Sequence, residues 1–272
     1  SFIGQGKYFD CPIYVNGKET PSVGWVDDVA TEYAIDFIRN HKDKPFCLTV
    51  GFKATHGPFE PPERRKNEYE GMVARPVPNL SATAIYKTAK GQGTKKPGRN
   101  DRIPTAGKTN LAYFRCITAP DDNLGRLLAA LDEAQLSDRT IVIFASDNGY
   151  YLGEHGLGDK RSAYEEALRI PLLLRYPKLG GGNALIDHMV LNIDLAPTLL
   201  DLAGAPIPPA MHGRSCRPLL EGKADADWRK AWFYCYFFER QFGTPLTTAV
   251  RTDRAKLIRY PGHDEWTELF DL

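Results

Sequence analysis

The chain is short of most features that would assign it to a class directly. Neither sign of charge dominates: 35 Lys+Arg against 34 Asp+Glu leave a formal charge of +1 over 272 residues. That balance excludes a global field for nucleic acid or an anionic membrane, so any anion recognition has to be local. No apolar run approaches the roughly 20 residues that span a bilayer, and the segment from Ser1 to Gly6 lacks the basic start and apolar core of a signal peptide. No C-x-x-C spacing occurs. The five cysteines (Cys11, Cys47, Cys116, Cys216, Cys235) are odd in number and scattered, which argues against a disulfide framework or a zinc knot. Cys47 and Cys116 sit in apolar surroundings and read as buried inert thiols; a Cys216–Cys235 pairing stays open. There is no internal repeat.

What is present is an alternation of helical and strand-like segments. Val26, Val29, Tyr33 and Phe37 recur at helical spacing over residues 25–40, and residues 45–52 read as a buried strand ending near His56. From Arg75 to Lys108 the composition turns to Pro, Gly, Thr and Lys, a long basic loop around Lys95 and Lys96 that fits a solvated insert or an anion-binding lid. A helix is expected from about Asn110, with Leu124, Leu127, Leu128 and Leu131 on one face and a kink or break at Pro120. Asp121 and Asp122 follow that proline, where the helix dipole favours acids. Strands are expected at 140–146, 170–176, 232–238, 248–252 and 256–260, and a helix at 194–202. Alternating elements followed by consecutive strands imply a large α/β domain over 1–215, incomplete, and a smaller antiparallel unit over 216–272, also truncated, with the changeover in the proline-rich stretch 205–228. Because the chain opens inside a polar turn and stops on an apolar segment, it is expected to be part of a longer protein.

The strand from Thr140 halts on Asp147 and Asn148, and Gly-rich turns then lead to Lys160 and Arg161. Ligands gather where strands of an open α/β sheet end. Asp147 and Asn148 offer three side-chain oxygens, a hard set suited to Ca²⁺ or, less well, Mg²⁺ and poorly to zinc; an Asp-Asn-Gly tight turn accounts for them equally. Lys160, beside a cation, would face an anion as a point charge, though its spacing also fits an ordinary surface lysine. His56, held in a Gly-Pro-Phe elbow past the apolar run, is a candidate general acid or a structural histidine. His155, flanked by glycines, and Arg161 are further candidates for the pocket.

These segments together resemble the sulfatase family of the alkaline phosphatase superfamily. The matching residues are Gly6–Asp10 with Val15–Lys18, Pro45 to Arg64, Thr140 to Gly149, Gly153–Leu157 with Lys160–Glu166, Arg169–Leu172 and Asp194–Thr198, in the family's order. The resemblance implies an alkaline-phosphatase-like fold, a large mixed sheet flanked by helices with a smaller C-terminal antiparallel sheet. It implies that Asp147 and Asn148 ligate Ca²⁺, that Lys160 and His56 hold a sulfate group with His56 near the leaving oxygen, and that the nucleophile is a formylglycine. The C-x-P-x-R segment that yields formylglycine is absent from this chain: Pro12 follows Cys11 directly and no Arg stands at the required offset. Thr55 and Gly57 around the histidine, and Gly158 and Asp159 before Lys160, depart from the family pattern without removing a charged group.

The expectation is therefore a sulfuric ester hydrolase acting on a sulfated saccharide or aryl compound in the complete protein, with this chain alone inactive. Alternatives are a phosphate or phosphonate monoester hydrolase of the same superfamily, and a non-catalytic anion-binding module. The family implies a periplasmic, secreted or lysosomal setting, with no nucleic-acid partner.

Overall fold

A computed structural model describes residues 1–74, 76–88, 108–179, 182, 184–223 and 227–272. In chain order its elements are β1 (Ile13–Val15), β2 (Lys18–Thr20), α1 (Val26–His41), α2 (Ile85–Thr88), α3 (Lys108–Glu133), β3 (Val142–Ala145), α4 (Glu165–Leu168), β4 (Leu172–Arg175), α5 (Leu195–Leu202), α6 (Arg217–Leu220), β5 (Ala231–Tyr236), β6 (Thr247–Thr252), β7 (Ala255–Arg259) and β8 (Glu268–Asp271). By contacts the chain divides into one unit of Ser1–Pro78 with Ile103–Thr140 and another of Asn79–Arg102 with Ile141–Leu272. This division differs from the 1–215 and 216–272 split suggested by composition.

The first unit packs α1 against α3. The face of α1 that turns inward is Val26, Ala34, Ile35 and Ile38, together with Asp27 and Thr31, while Tyr33 is exposed. The apolar spacing misplaced this stripe because two buried polar residues belong to it; Thr31 satisfies its hydroxyl on the Asp27 carbonyl at 2.7 Å. α3 runs unbroken through Pro120, whose ring lies buried. Asp122 behind it is not a mere dipole partner, since its carboxylate takes Arg64 at 3.1 Å and Arg65 at 2.5 Å. Residues 45–52 form no strand, and Cys47 is exposed rather than buried. The run has strand composition, but no strand among the described residues offers it a ladder, and a strand exists only through its partner. A hairpin went unread: Asn16 (φ 50°) and Gly17 (φ 79°) turn β1 into β2, the left-handed pair that a two-residue hairpin demands.

In the second unit β3 and β4 pair antiparallel, Val142 opposite Arg175 through Ala145 opposite Leu172. β5 to β8 form a four-stranded antiparallel sheet in sequence order. Its inner face, with Ala249 and Ile258, closes on Tyr151, Tyr164, Ala167, Tyr260 and Trp266 in the unit's main core. Burying aromatics of this size contributes on the order of 2 kcal/mol each. All five cysteines are free, Cys216 and Cys235 included. The short helix α2 falls inside the stretch expected to be loop, whereas Lys90, Lys95, Lys96 and Arg99 lie outside the described residues. No helix among the described residues is long and apolar enough to cross a membrane.

Candidate functional site

In the second unit the end of β3 is fixed by α4. Gly149 N–H donates to the Ala167 carbonyl at 2.8 Å and Tyr150 N–H to the Glu166 carbonyl at 3.0 Å. The approach is so close that a Cβ on Gly149 would stand 2.0 Å from the Glu166 oxygen, so glycine is obligatory at this position. Ser146 Oγ donates to the Asn148 carbonyl at 2.7 Å, and the Asn148 amide nitrogen donates to the Gly149 carbonyl at 2.7 Å. The turn is thus tied on every side except one. Asp147 is exposed, and no hydrogen bond or ion pair engages its carboxylate or the Asn148 Oδ1 among the described residues.

Those oxygens fit part of a hard-cation shell. An ionised carboxylate and an amide oxygen on adjacent residues, with the amide nitrogen turned onto backbone, match the donors that Ca²⁺ takes; its usual six to eight oxygens need more than this pair supplies. No group of three or more His, Cys, Asp or Glu among the described residues is placed to hold a metal by itself.

The loop that follows closes on itself before Lys160. Tyr151 N–H donates to the Asp159 carbonyl at 2.8 Å and the Tyr150 hydroxyl to the Gly158 carbonyl at 3.0 Å. Arg161 is spent on this architecture: Nη1 donates to both Asp159 oxygens at 2.8 Å, and its guanidinium lies 3.2 Å from the Phe242 ring centroid. Lys160 is half-buried and engages no partner among the described residues. A cation without a carboxylate, next to one that has two bonds to its own, is the group left to meet an outside anion.

His155 occupies the left-handed region (φ 54°, ψ 23°), strain on the order of 1 kcal/mol for a residue with a Cβ. Four neighbours hold it there. Its ring stacks on Tyr164 at 3.9 Å, Nδ1 faces the Ala82 carbonyl at 3.2 Å, and Nε2 faces Asn79 Nδ2 at 3.1 Å and Glu166 Oε2 at 3.4 Å. Burial pushes the Glu166 carboxyl up, but hydrogen bonds from His155 and Asn79 outweigh it and hold it down at about 2. Both ring nitrogens of His155 are therefore occupied inside the fold. α4 is gripped from the other side by the C-terminal sheet: Glu165 Oε1 takes the buried Lys256 at 2.8 Å and Arg251 at 3.2 Å.

His56 lies in the first unit, on a loop pinned by α1. The buried Asp27 carboxylate accepts Lys53 N–H at 2.7 Å and Ala54 N–H at 2.9 Å, the Tyr8 hydroxyl donates to the His56 carbonyl at 2.6 Å, and Trp25 Nε1 donates to the Glu60 carbonyl at 2.9 Å. The Ala54–Thr55 and Gly57–Pro58 peptides are cis. His56 Nδ1 sits 2.8 Å from the Gly57 carbonyl, and since a carbonyl only accepts, Nδ1 carries the hydrogen. That leaves Nε2 of an exposed ring free to accept or give a proton. Asp27 was not foreseen as a support; a lone acid on a helical pattern carries no signal that its partners lie 26 residues on.

A family model described as sulfatase matches residues 7–205, and one described as N-sulphoglucosamine sulphohydrolase, C-terminal, matches residues 153–272. The N-acetylglucosamine-6-O-sulfatase of Bacteroides thetaiotaomicron is 30% identical, covering 98% of this chain and 59% of its own length. The N-acetylglucosamine-6-sulfatase of Bos taurus is 29% identical over 83% of this chain and 41% of its own. The chain thus spans about half the length of these curated relatives. A solved structure described as a complex with its substrate D-glucosamine-2-N,6-O-disulfate superposes with a TM-score of 0.82 at 30% identity, covering 98% of this chain and 67% of that one. A phosphonate monoester hydrolase from Silicibacter pomeroyi shares the fold at a TM-score of 0.70 and 22% identity, over 100% of this chain and 60% of its own. With the sulfatase model matched over most of its length, this chain belongs to the sulfatase family of the alkaline phosphatase superfamily.

Proposed function

We propose that the protein hydrolyses a sulfate ester of a saccharide, with an amino sugar of the glucosamine type as the first substrate to test. The observation that carries this reading is the contrast in the second unit: Asp159, Arg161, Glu165 and Glu166 are all paired, while Asp147 and Lys160 have no hydrogen-bond or ion-pair partner among the described residues. Relatives named for N-acetylglucosamine 6-sulfate support the saccharide.

In this reading Asp147 and Asn148 hold Ca²⁺ in preference to Mg²⁺, with further oxygens from outside this chain. The cation, when bound, neutralises charge on the transferring group. Lys160 faces a sulfate oxygen as a fixed point charge. His56, with Nδ1 committed to Gly57, presents Nε2–H when protonated and can give that proton to the leaving oxygen. Arg161 and His155 position rather than react. No residue of this chain fits the formylglycine motif, so the attacking group of this reading lies elsewhere in the full-length protein. A periplasmic, secreted or lysosomal location goes with the same reading, in keeping with relatives named extracellular sulfatases.

The test is hydrolysis by the natural full-length protein of glucosamine 6-sulfate beside the matched 6-phosphate, with and without a calcium chelator. Faster turnover of the sulfate, lost on chelation, is expected. Preference for the phosphate ester would make it a phosphate or phosphonate monoester hydrolase. Binding of the sulfate without turnover of either would leave a non-catalytic module.

A further inference from the structure

His56 is held by three hydrogen bonds. Its N–H donates to the Lys53 carbonyl at 2.9 Å, its ring Nδ1 to the Gly57 carbonyl at 2.8 Å, and its own carbonyl accepts the Tyr8 hydroxyl at 2.6 Å, from 48 residues away. The first two bonds lie within the loop and move with it; the Tyr8 bond reaches outside. Tyr8 itself is firmly seated. Its ring is 1% exposed and stacks on Trp25 with centroids 5.8 Å apart, and the buried Lys53 ammonium, bonded to the Gln5 carbonyl at 2.8 Å, lies over the ring 4.7 Å from its centroid. The fully buried Cys116 thiol also bonds the phenol. Because the phenol has given its one hydrogen to His56, the thiol must be the donor in that pair. Burial pushes both groups up, the thiol to about 12, so each keeps its hydrogen and the chain runs one way: thiol to phenol to His56 carbonyl. A phenylalanine would fill the same space, so packing explains the ring and leaves the hydroxyl to be explained.

We propose that Tyr8 is the positioning residue for proton transfer at His56: by holding the His56 carbonyl it fixes the peptide that leads to the Gly57 acceptor, and so sets the tautomer of the ring and the direction of Nε2. The Nδ1–H acceptor is the carbonyl of the very next residue. A swing of the His56–Gly57 peptide would therefore carry that acceptor away, free Nδ1 and turn the ring. Tyr8 touches neither the transferring group nor the leaving oxygen in this account and acts only through His56. Its effect on turnover rests on the reading that His56 gives its proton to the leaving oxygen; its hold on the ring does not.

The test compares Tyr8→Phe with the wild type, in the full-length protein, on two esters that differ in their need for a proton. The alkoxide leaving from glucosamine 6-sulfate must be protonated as it departs, whereas the phenolate leaving from 4-nitrophenyl sulfate departs without help. A misdirected ring should lower kcat on the sugar ester by about fivefold to twentyfold and on the nitrophenyl ester by less than about twofold, with KM little changed. His56→Ala should show the same split, enlarged. A loss of folded protein would lower both rates alike, so the ratio between esters separates positioning from stability. Equal losses on the two esters in Tyr8→Phe, or no loss on either, with the split present in His56→Ala, would overturn the proposal and spare the role of His56. Equal losses in His56→Ala would remove the acid role and Tyr8's effect on turnover with it. The hold on the ring is read independently by ¹⁵N NMR of the neutral imidazole: Nδ1–H in the wild type, shifting towards Nε2–H in Tyr8→Phe. An unchanged tautomer would overturn the proposal even if the wild type turned over neither ester.

Discussion

Replacing Gly149 by alanine adds one methyl group where the structure has no room for it. The new Cβ would meet Glu166 O at 2.0 Å, Glu166 C at 2.9 Å and Ala167 Cα at 3.0 Å, all backbone of α4 and none able to rotate away. Overpacking of this kind costs about 1–3 kcal/mol. Relief requires the turn to part from α4, which lengthens the Gly149–Ala167 and Tyr150–Glu166 hydrogen bonds, worth about 1 kcal/mol net apiece. The sum is about 3–5 kcal/mol, and at about 2–4 °C per kcal/mol in a chain of this size the melting temperature should fall by about 6–20 °C. Because Asp147 and Asn148, the ligands proposed for Ca²⁺, ride on that turn, any calcium affinity should fall in the folded variant as well. Differential scanning calorimetry and calcium titration of the full-length protein measure the two effects. A melting temperature within 1 °C of the wild type, with unchanged calcium affinity, would refute the idea that α4 locks the turn.

Asp27→Ala removes the acceptor of Lys53 and Ala54 N–H and should destabilise by about 2–3 kcal/mol in urea melts, two backbone donors being left unpaired; kcat for a sulfate ester should fall with it as His56 loses its post. Glu166, held at about 2 against an ordinary 4.5, contributes stability that is fully present above pH 4.5 and lost as pH falls towards 2. Acid melts of Glu166→Gln should therefore be flatter than the wild type between those limits, and parallel curves would count against the His155–Glu166–Asn79 cluster. Glu165→Gln strands the ammonium of Lys256, which is 2% exposed, and should cost about 3–5 kcal/mol, with Lys256→Met in the same chain recovering much of it.

How far the fold could be read in advance depended on whether the governing contact was local. α1, β3 and α5 were legible because their own periodicity dictates their form, and the Asp147–Asn148 and Lys160 segments because short motifs mark them. The strand expected at 45–52 failed since a ladder needs a partner, which composition does not reveal. The buried face of α1 was misplaced because Asp27 and Thr31 are interior polar residues whose hydrogen bonds, not their hydropathy, place them there. His155 shows only its flanking glycines in the sequence, yet contacts to Asn79 and Ala82, more than 70 residues away, hold its ring in place. The candidate residues stand out in the sequence by their motifs, whereas the residues that hold their backbone, Asp27 and Glu166 among them, do not.

Lys160, a cation without a partner among the described residues, is proposed to meet the sulfate group, and kcat/KM of full-length Lys160→Ala on a glucosamine sulfate ester puts that role to the test. Loss of one fixed charge aimed at the transferring group should lower it by about 10²–10³, with the melting temperature nearly unchanged because Lys160 makes no hydrogen bond or ion pair among the described residues. A variant that keeps its rate within threefold, or that loses stability in step with activity, would show that Lys160 does not hold the sulfate.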